Sequence, residues 1–461
     1  MQAAVNDIFS RILKQRTALA SLVAMGIKGG GALMMIAVFT LAARAMAADE
    51  FGRLAVWFNA MAFLAVFATF GQETLIARSW GEFNGAGDSG LAWGAYAFGW
   101  RLTMISGAVV AAGLVIFAPF VNQSVAPITL YAIASCLFTQ TLLHYSSHST
   151  RVMVGFVVSE VNRELTWRLV LLIVIIWSVL HQGLTLTEFF CASTAGMTLS
   201  LFFQLAKVWR KHLEARDAGI RIREPEPAAR AAWFTRARAM WISAIVESVS
   251  AYSDVMLIGY FVSPAVAGDY FVAARIANAF LMVNAGLNTY SMAQSAKLHF
   301  SGENKKLQDI LRSIVSVSAA VCFPALLIVL LFGSQLLTIF GVRFAGVYPT
   351  LAVLSAGSFV VAMCGGAPGI LLTTGHEQLY SRVVLVATAV RMALTVILAT
   401  HFGTVGAAVG WTVVNAPLAV FLSVVCRSIC GVDTSLANLL RRAPADPAQD
   451  DGHPSLAGPP A

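Results

Sequence analysis

Long apolar runs separated by short charged clusters extend along almost the whole chain. LVLLIVIIWSVL (Leu169 to Leu180) and ALLIVLLFG (Ala325 to Gly333), for example, each lie inside a longer apolar stretch. A helix needs about 20 such residues to cross a hydrocarbon core of roughly 30 Å. The pattern predicts twelve membrane-spanning helices: 18–43, 54–76, 91–118, 126–146, 165–182, 187–206, 239–262, 268–296, 311–333, 349–374, 380–401 and 404–426.

The first apolar run resembles a signal peptide, because Arg11, Lys14 and Arg16 precede it. A cleaved signal has an apolar region of only about 7–15 residues. This run is longer, since it extends from Thr17 to Ala43. We therefore expect it to be retained as the first helix.

The composition agrees with a membrane protein. The 461 residues are 58% hydrophobic and 12% charged, whereas about 25% of residues are charged in soluble domains. The predicted fold class is an all-α integral membrane protein. The six cysteines are scattered without a paired framework, so no disulfide is expected. His144 and His148 lie one helical turn apart, but no third ligand accompanies them, and neither a metal nor another cofactor is expected.

The distribution of basic residues predicts the orientation. If the N-terminus is cytoplasmic, 24 of the 31 Lys and Arg residues lie in cytoplasmic loops and ends, and only Arg44, Arg53 and Arg343 lie on the other side. Cytoplasmic loops of membrane proteins carry an excess of Lys and Arg. An even number of spans then places both termini in the cytoplasm.

A basic segment, 207–238, divides the predicted spans into two six-helix bundles, 1–206 and 239–430, and a tail with a disordered end follows over 431–461. We expect this linker to lie near anionic lipid headgroups. LAARAMAADEFGRLAVWFNA (Leu41 to Ala60) aligns with LIGYFVSPAVAGDYFVAARIA (Leu257 to Ala277) at an offset of 216 residues, which pairs Gly52 with Gly268. The alignment predicts that the bundles are related by an internal repeat, with a substrate site at their interface.

Four basic residues fall inside predicted spans: Lys28, Arg101, Arg275 and Arg391. A charge at the bilayer centre costs about 2.5–3.5 kcal/mol on insertion scales, so such residues usually face a cavity or a partner. Lys28 lies near the middle of the first span. We predict that it faces a lumen, or alternatively pairs with an acidic residue of the seventh span. Gly29, Gly30 and Gly31 follow it, and they permit either helix bending or close packing.

Arg275 begins a polar stripe that includes Asn278 one turn later, and Asn59 occupies the matching place in the repeat. A guanidinium donates two parallel hydrogen bonds to phosphate oxygens. The stripe therefore predicts a phosphate-binding site, with Arg101 and Arg391 as further candidates.

Two acidic residues, Glu247 and Asp254, lie seven residues apart on one face of the seventh span. They are candidates for carrying coupling protons or cations. The alternative is that they neutralise Lys28 and Arg275.

Three stretches carry a resemblance to a known family: LAARAMAADEFGRLAVWFNAMAFLAVFATFGQETLIAR, YSDVMLIGYFVSPAVAGDYFVAARIA and GGAPGILLTTGHEQ. Their order and spacing resemble those of Wzx-type O-antigen and exopolysaccharide flippases of the multidrug/oligosaccharidyl-lipid/polysaccharide exporter superfamily. The resemblance extends over nearly all of residues 15–430.

The resemblance implies a V-shaped pair of six-helix bundles in the bacterial inner membrane. Such a protein moves undecaprenyl-diphosphate-linked sugars across the bilayer by alternating access through a cationic lumen, and is not an enzyme. Its expected partners are the lipid-linked glycan, membrane lipids, and possible associates such as a polysaccharide polymerase and a chain-length regulator, without nucleic acid. The alternatives are an ion-coupled multidrug antiporter of the same fold and a membrane-embedded polymerase or glycosyltransferase.

Overall fold

The computed structural model describes residue 23 and residues 26–121, 125–181, 183–223, 227–300 and 304–436. The predicted start of the first span and the predicted disordered tail lie outside these ranges. The described chain contains helices joined by short turns, and no strand. The helices are α1 Gly26–Ala45, α2 Ala48–Thr69, α3 Gln72–Gly85, α4 Ser89–Val121, α5 Pro127–Met153, α6 Phe156–Val161, α7 Trp167–His181, α8 Leu186–Asp217, α9 Pro227–Phe261, α10 Pro264–Phe300, α11 Asn304–Thr338, α12 Tyr348–Met363, α13 Ala367–Thr373 and α14 Glu377–Cys430.

Ten segments of the described chain are long and apolar enough to cross a membrane. One of them, the 54-residue α14, contains Gly403 at φ 59° and ψ −139°, a conformation outside the helical region, and therefore supplies two spans. The 27-residue α5 is less apolar, but its polar side chains are largely buried against other helices. Counting both parts of α14 and adding α5 gives the twelve spans that the hydrophobic pattern predicts.

The predicted second span, 54–76, is wrong at both ends. The helix begins at Ala48 and ends at Thr69, where Phe70 (φ 53°) and Gly71 (φ 72°) turn the chain into α3. The apolar run continues to Ile76 because that side chain is buried against neighbouring helices. An apolar run that is buried in protein has the same composition as one that faces lipid. The hydrophobic pattern therefore could not indicate where this span ends.

The predicted fifth span, 165–182, begins too late. A continuous helical segment extends over Phe156–His181, with a π-helical turn at Asn162–Thr166 between α6 and α7. The charged residues of that turn interrupt the apolar run, so the hydrophobic pattern did not indicate a helix there. The predicted tenth span, 349–374, is interrupted between α12 and α13 at Cys364–Gly366.

The helices form two groups, α1–α8 and α9–α14. In the first group α5 lies centrally and packs against α2, α3, α4 and α8, while in the second α12 packs against α10, α11 and α14. The helix α2 joins the groups, because it also packs against α9 and α10. One buried apolar cluster extends through both groups and includes Phe39, Phe51, Phe189, Phe271 and Phe344.

The junction between the groups is tightest where α2 passes the start of α10. A Cβ atom on Gly52 would overlap the carbonyl group of Pro264, and one on Gly268 would lie 3.0 Å from the Gly52 Cα. Beside this crossing, Phe51 and Phe344 meet edge to face with ring centroids 5.9 Å apart. Arg44 donates from Nε to the Ile339 carbonyl at 2.8 Å. The close approach of the α2 and α10 backbones, and the hydrogen bond from the charged Arg44 side chain, thus hold the two groups of helices together here.

Candidate functional site

A cavity of about 640 Å³ lies among α2, α9, α10, α12, α13 and α14. It brings together polar residues that the sequence places in six different predicted spans. Of the candidate site residues, it is lined by Glu247, Asp254, Arg275, Asn278 and Arg391. Asn59, the repeat equivalent of Arg275, lines it from α2.

Arg275 is held in the cavity wall by three aromatic rings. Its guanidinium carbon lies 4.6 Å from the ring centroid of Phe271, 5.3 Å from that of Phe39 and 5.8 Å from that of Phe58. Attraction of a cation to ring faces contributes about 0.5–2 kcal/mol per contact, more when the cation is desolvated. The rings come from α1, α2 and α10, so they fix the position of the charge without neutralising it.

Arg391 and Asp254 form a buried ion pair that lines the same cavity. The Arg391 Nη1 and Asp254 Oδ2 atoms are 3.6 Å apart, and Arg391 Nη2 donates to the Ser250 carbonyl at 2.8 Å. Only 2% of Arg391 is exposed. Asp254 therefore neutralises Arg391. The alternative drawn from the sequence, that Asp254 neutralises Lys28 or Arg275, does not describe this contact.

The charged residues that line the cavity are two arginines, Arg275 and Arg391, and two acids, Asp254 and the exposed Glu247. Glu247 has no ion-pair partner among the described residues. The cationic lumen stays a prediction. The cavity contains three kinds of charged group. They are the Arg275 guanidinium among its aromatic rings, the exposed Glu247 carboxylate, and the buried ion pair of Arg391 and Asp254.

Lys28 and its glycines lie elsewhere, on α1 beside the π-helical turn. Lys28 is exposed and is not among the residues that line the cavity. A Cβ on Gly31 would lie 2.8 Å from Arg168 Nη1 and 2.9 Å from the Glu164 carbonyl, whereas one on Gly29 would have no neighbour within 4 Å. At Gly30 the same atom would make an ordinary 3.5 Å contact with Leu165. Close packing thus explains Gly31, and α1 is helical through all three glycines.

Arg101 is exposed on α4 and likewise does not line the cavity. The structure therefore brings together the candidates of the second group of helices and separates them from those of α1 and α4.

Several polar and aromatic side chains of the cavity were missed from the sequence. They are Tyr252, Tyr270, Tyr380, Trp411 and Asn415. Asn415 could have been identified from the sequence, because it is an amide inside the twelfth apolar run. The aromatic residues could not, because aromatic side chains are equally common in apolar cores.

The π-helical turn was also missed as a feature. Arg168 pairs with Glu164 one turn earlier, and Arg163 lies 3.7 Å from the same carboxylate. Single π-turns inside α-helices occur frequently at functional sites. The described residues contain no group of three His, Cys, Asp or Glu side chains arranged for a metal ion.

The apolar helices define a multi-pass membrane protein. The chain superposes with a TM-score of 0.73 on the inward-facing conformation of a multidrug resistance MATE family transporter of the MOP superfamily, at 12% identity, covering 89% of this chain and 98% of that one. The lipid II flippase MurJ, in an inward closed conformation, gives a TM-score of 0.69 at 10% identity, covering 89% of this chain and 87% of that one. The chain thus shares its fold with these two proteins, as its resemblance in sequence predicts.

Two curated proteins of Haloferax volcanii are similar in sequence. "Probable low-salt glycan biosynthesis flippase Agl15" is 21% identical over 232 residues, 50% of this chain and 47% of that protein. "Probable flippase AglR" is 25% identical over 136 residues, 30% of this chain and 29% of that protein. The chain therefore spans less than half the length of either relative. Both are named as flippases, which are transporters, in agreement with the prediction that this protein is not an enzyme. No protein-family model matches the sequence.

Proposed function

We propose that this protein is a flippase that moves an undecaprenyl-diphosphate-linked oligosaccharide across the bacterial inner membrane for surface polysaccharide synthesis. The observation that carries the proposal is Arg275, a guanidinium held by three rings at the wall of a membrane-embedded cavity. The name of the similar Haloferax protein Agl15, a probable glycan biosynthesis flippase, supports the same class of substrate.

The cavity lining suits a lipid-linked sugar. A guanidinium binds phosphate oxygens through paired, charge-assisted hydrogen bonds. The amides of Asn59, Asn278 and Asn415 are both donors and acceptors, as sugar hydroxyls require. Trp411 and Tyr380 add apolar ring faces with a polar edge. The lipid chain would remain in the bilayer while the diphosphate and sugar pass through the cavity.

Multidrug antiport is the second candidate, and Glu247 favours it. An exposed carboxylate on a cavity wall attracts organic cations, and the same fold serves a multidrug resistance transporter. The two functions differ in which cavity charge binds the substrate. Arg275 is required for a diphosphate, whereas Glu247 is required for a cation.

The test uses purified protein in liposomes with a fluorescent undecaprenyl-diphosphate sugar. Arg275→Met keeps the length of the side chain but removes its charge, and Arg275→Lys is the matched control that keeps the charge. A charged hydrogen bond contributes about 1.5–3 kcal/mol, so we expect Arg275→Met to weaken headgroup binding by about tenfold or more and Arg275→Lys to weaken it less. Wild-type protein that exchanges organic cations for protons, and neither binds nor flips the lipid-linked sugar, would establish the second candidate instead.

A further inference from the structure

A second buried polar region lies away from the cavity, at the start of α3. Glu73 is only 4% exposed, and its Oε2 atom is buried without a hydrogen-bond partner. Leaving a carboxylate oxygen unpaired in a buried place is costly when the group is ionised. The same oxygen in a neutral carboxylic acid carries no such penalty, so the position favours a bound proton.

Two histidines of α5 lie beside the backbone of Glu73. The His148 ring approaches the main chain of Glu73, and it stacks on His144 with ring centroids 5.2 Å apart. Both rings are half-buried. The two rings therefore belong to the surroundings of Glu73.

The charged groups around this region do not neutralise Glu73. On α5, Arg151 is paired with Glu160 of α6. Arg163, in the π-helical turn, lies close enough to repel positive charge on either histidine, and it is paired with Glu164. From α9, Arg236 pairs with Glu82 at the opposite end of α3. Asp88, in the turn between α3 and α4, pairs with Arg223.

The turn that precedes Glu73 packs closely against α9, which belongs to the second group of helices. A Cβ on Gly71 would overlap the Ala237 carbonyl of α9, and Trp241 of α9 donates from Nε1 to the Phe67 carbonyl at 2.8 Å. Phe70 stacks on Trp241 with centroids 4.4 Å apart. Phe70 is also the only non-glycine residue of the described chain with a positive φ, a conformation that persists only when its surroundings enforce it.

We propose that Glu73 is a proton-binding site that controls the contact between the α2–α3 turn and α9. A bound proton makes the carboxyl group neutral and keeps it buried, which holds the turn against α9. Loss of the proton leaves a buried charge whose Oε2 atom has no hydrogen-bond partner, and the turn then moves to expose it. Burial raises the pKa of the Glu73 carboxyl, as this linkage requires, because the conformation that buries the acid binds its proton more tightly.

This inference deepens the proposed transport function by naming a coupling ion, and its first test does not depend on that function. Spin labels on exposed positions of α3 and α9, at Gly81→Cys and Thr235→Cys, report the distance between the two helices. The exposed native cysteine is removed by Cys191→Ser. The distance is measured from about pH 5 to pH 9 in the full-length protein.

We expect the distance to increase with pH in this labelled background and to be independent of pH after Glu73→Gln, which imitates the protonated acid. Asp309→Asn, which removes an exposed carboxylate on α11, away from α3 and α9, is the control and should retain the pH dependence. His148→Gln keeps the carboxyl group and is expected to shift the midpoint of the transition. Curves for Glu73→Gln and His148→Gln that both coincide with the unmodified curve would overturn the proposal.

The transport measurement separates this proposal from the proposed function. If the protein flips a lipid-linked sugar, Glu73→Gln should abolish the stimulation by a pH gradient while leaving headgroup binding unchanged, because Glu73 does not line the cavity. Persisting stimulation would refute coupling through Glu73. A protein that flips no such lipid but shows the Glu73-dependent distance change would refute the proposed function and retain the proton site.

Discussion

Gly52 and Gly268 contact each other, with the position of a Gly268 Cβ 3.0 Å from the Gly52 Cα. The two residues are equivalent in the internal alignment, at the offset of 216 residues. Asn59 and Arg275, also equivalent in that alignment, both line the cavity. Equivalent positions of the two groups of helices thus meet at this crossing and again in the cavity.

The first prediction concerns this crossing. Gly52→Ala places a methyl group on the Pro264 backbone, which cannot rotate away as a side chain can. Overpacking typically costs about 1–3 kcal/mol, and we expect a lower thermal-unfolding midpoint in detergent. Gly81→Ala, where a Cβ meets nothing within 4 Å, is the control. Equal midpoints for both variants would show that α2 and α10 are not held this closely.

The second prediction separates the glycines of α1. Gly31→Ala must displace Arg168 or the Glu164 carbonyl, so we expect it to destabilise the protein. Gly29→Ala has free space and should be neutral or slightly stabilising, since Ala exceeds Gly in helix propensity by about 1 kcal/mol. Thermal unfolding distinguishes the two. A transport defect in a stable Gly29→Ala protein would instead support the prediction that this helix bends there.

The third prediction concerns the buried pair of Asp254 and Arg391. Removal of one partner leaves the other charged and buried, which costs about 3–5 kcal/mol. We expect Asp254→Asn and Arg391→Met each to lower stability strongly. The double variant Asp254→Leu with Arg391→Met should recover most of the loss, since apolar replacement of a buried pair is often neutral. Additive losses in the double variant would contradict the pairing.

The same double variant tests coupling by Asp254. Gradient-stimulated transport in a stable double variant would exclude this carboxylate as the coupling group. Loss of stimulation would retain it as a candidate, as the sequence predicts for Glu247 and Asp254 together.

The sequence predicted the twelve spans because each apolar run must match the bilayer thickness. It also identified Arg275, Arg391 and Asp254 as residues of interest, since charges in apolar runs are costly and therefore conspicuous. Pairing was not predictable, because Asp254 and Arg391 are distant in sequence and their contact depends on how α9 packs against α14. Glu73 was missed for a related reason. It lies near the end of the predicted second span, 54–76, where a carboxylate is expected to reach water, and its burial depends on the α2–α3 turn.

The fourth prediction concerns orientation. The basic loops favour a cytoplasmic N-terminus by the positive-inside rule. A cytoplasm-active reporter fused at Asp217, the exposed end of α8, should therefore be active, and so should one fused after Arg442. A periplasm-active reporter fused at Val342, after α11, is the complementary control and should be active as well. Periplasmic activity at Asp217 would reverse the assignment.

The fifth prediction concerns Lys28. Its side chain is exposed beside the contact of Gly31 with Arg168 and Glu164, outside the described cavity. Replacement by Ala removes a charge from a membrane-spanning helix, so insertion should become easier, and no packing contact of Gly31 is lost. We expect Lys28→Ala to remain as stable as wild type. If Lys28 receives the diphosphate before or after Arg275, export should nevertheless stop, and Lys28→Arg should retain part of it because the charge is kept. Accumulation of the lipid-linked oligosaccharide on the cytoplasmic leaflet measures export, and headgroup binding to purified protein measures the cavity separately. Unchanged binding with blocked export would place Lys28 on the path to the Arg275 cavity, whereas full export by a well-expressed Lys28→Ala protein would remove it from the transport route.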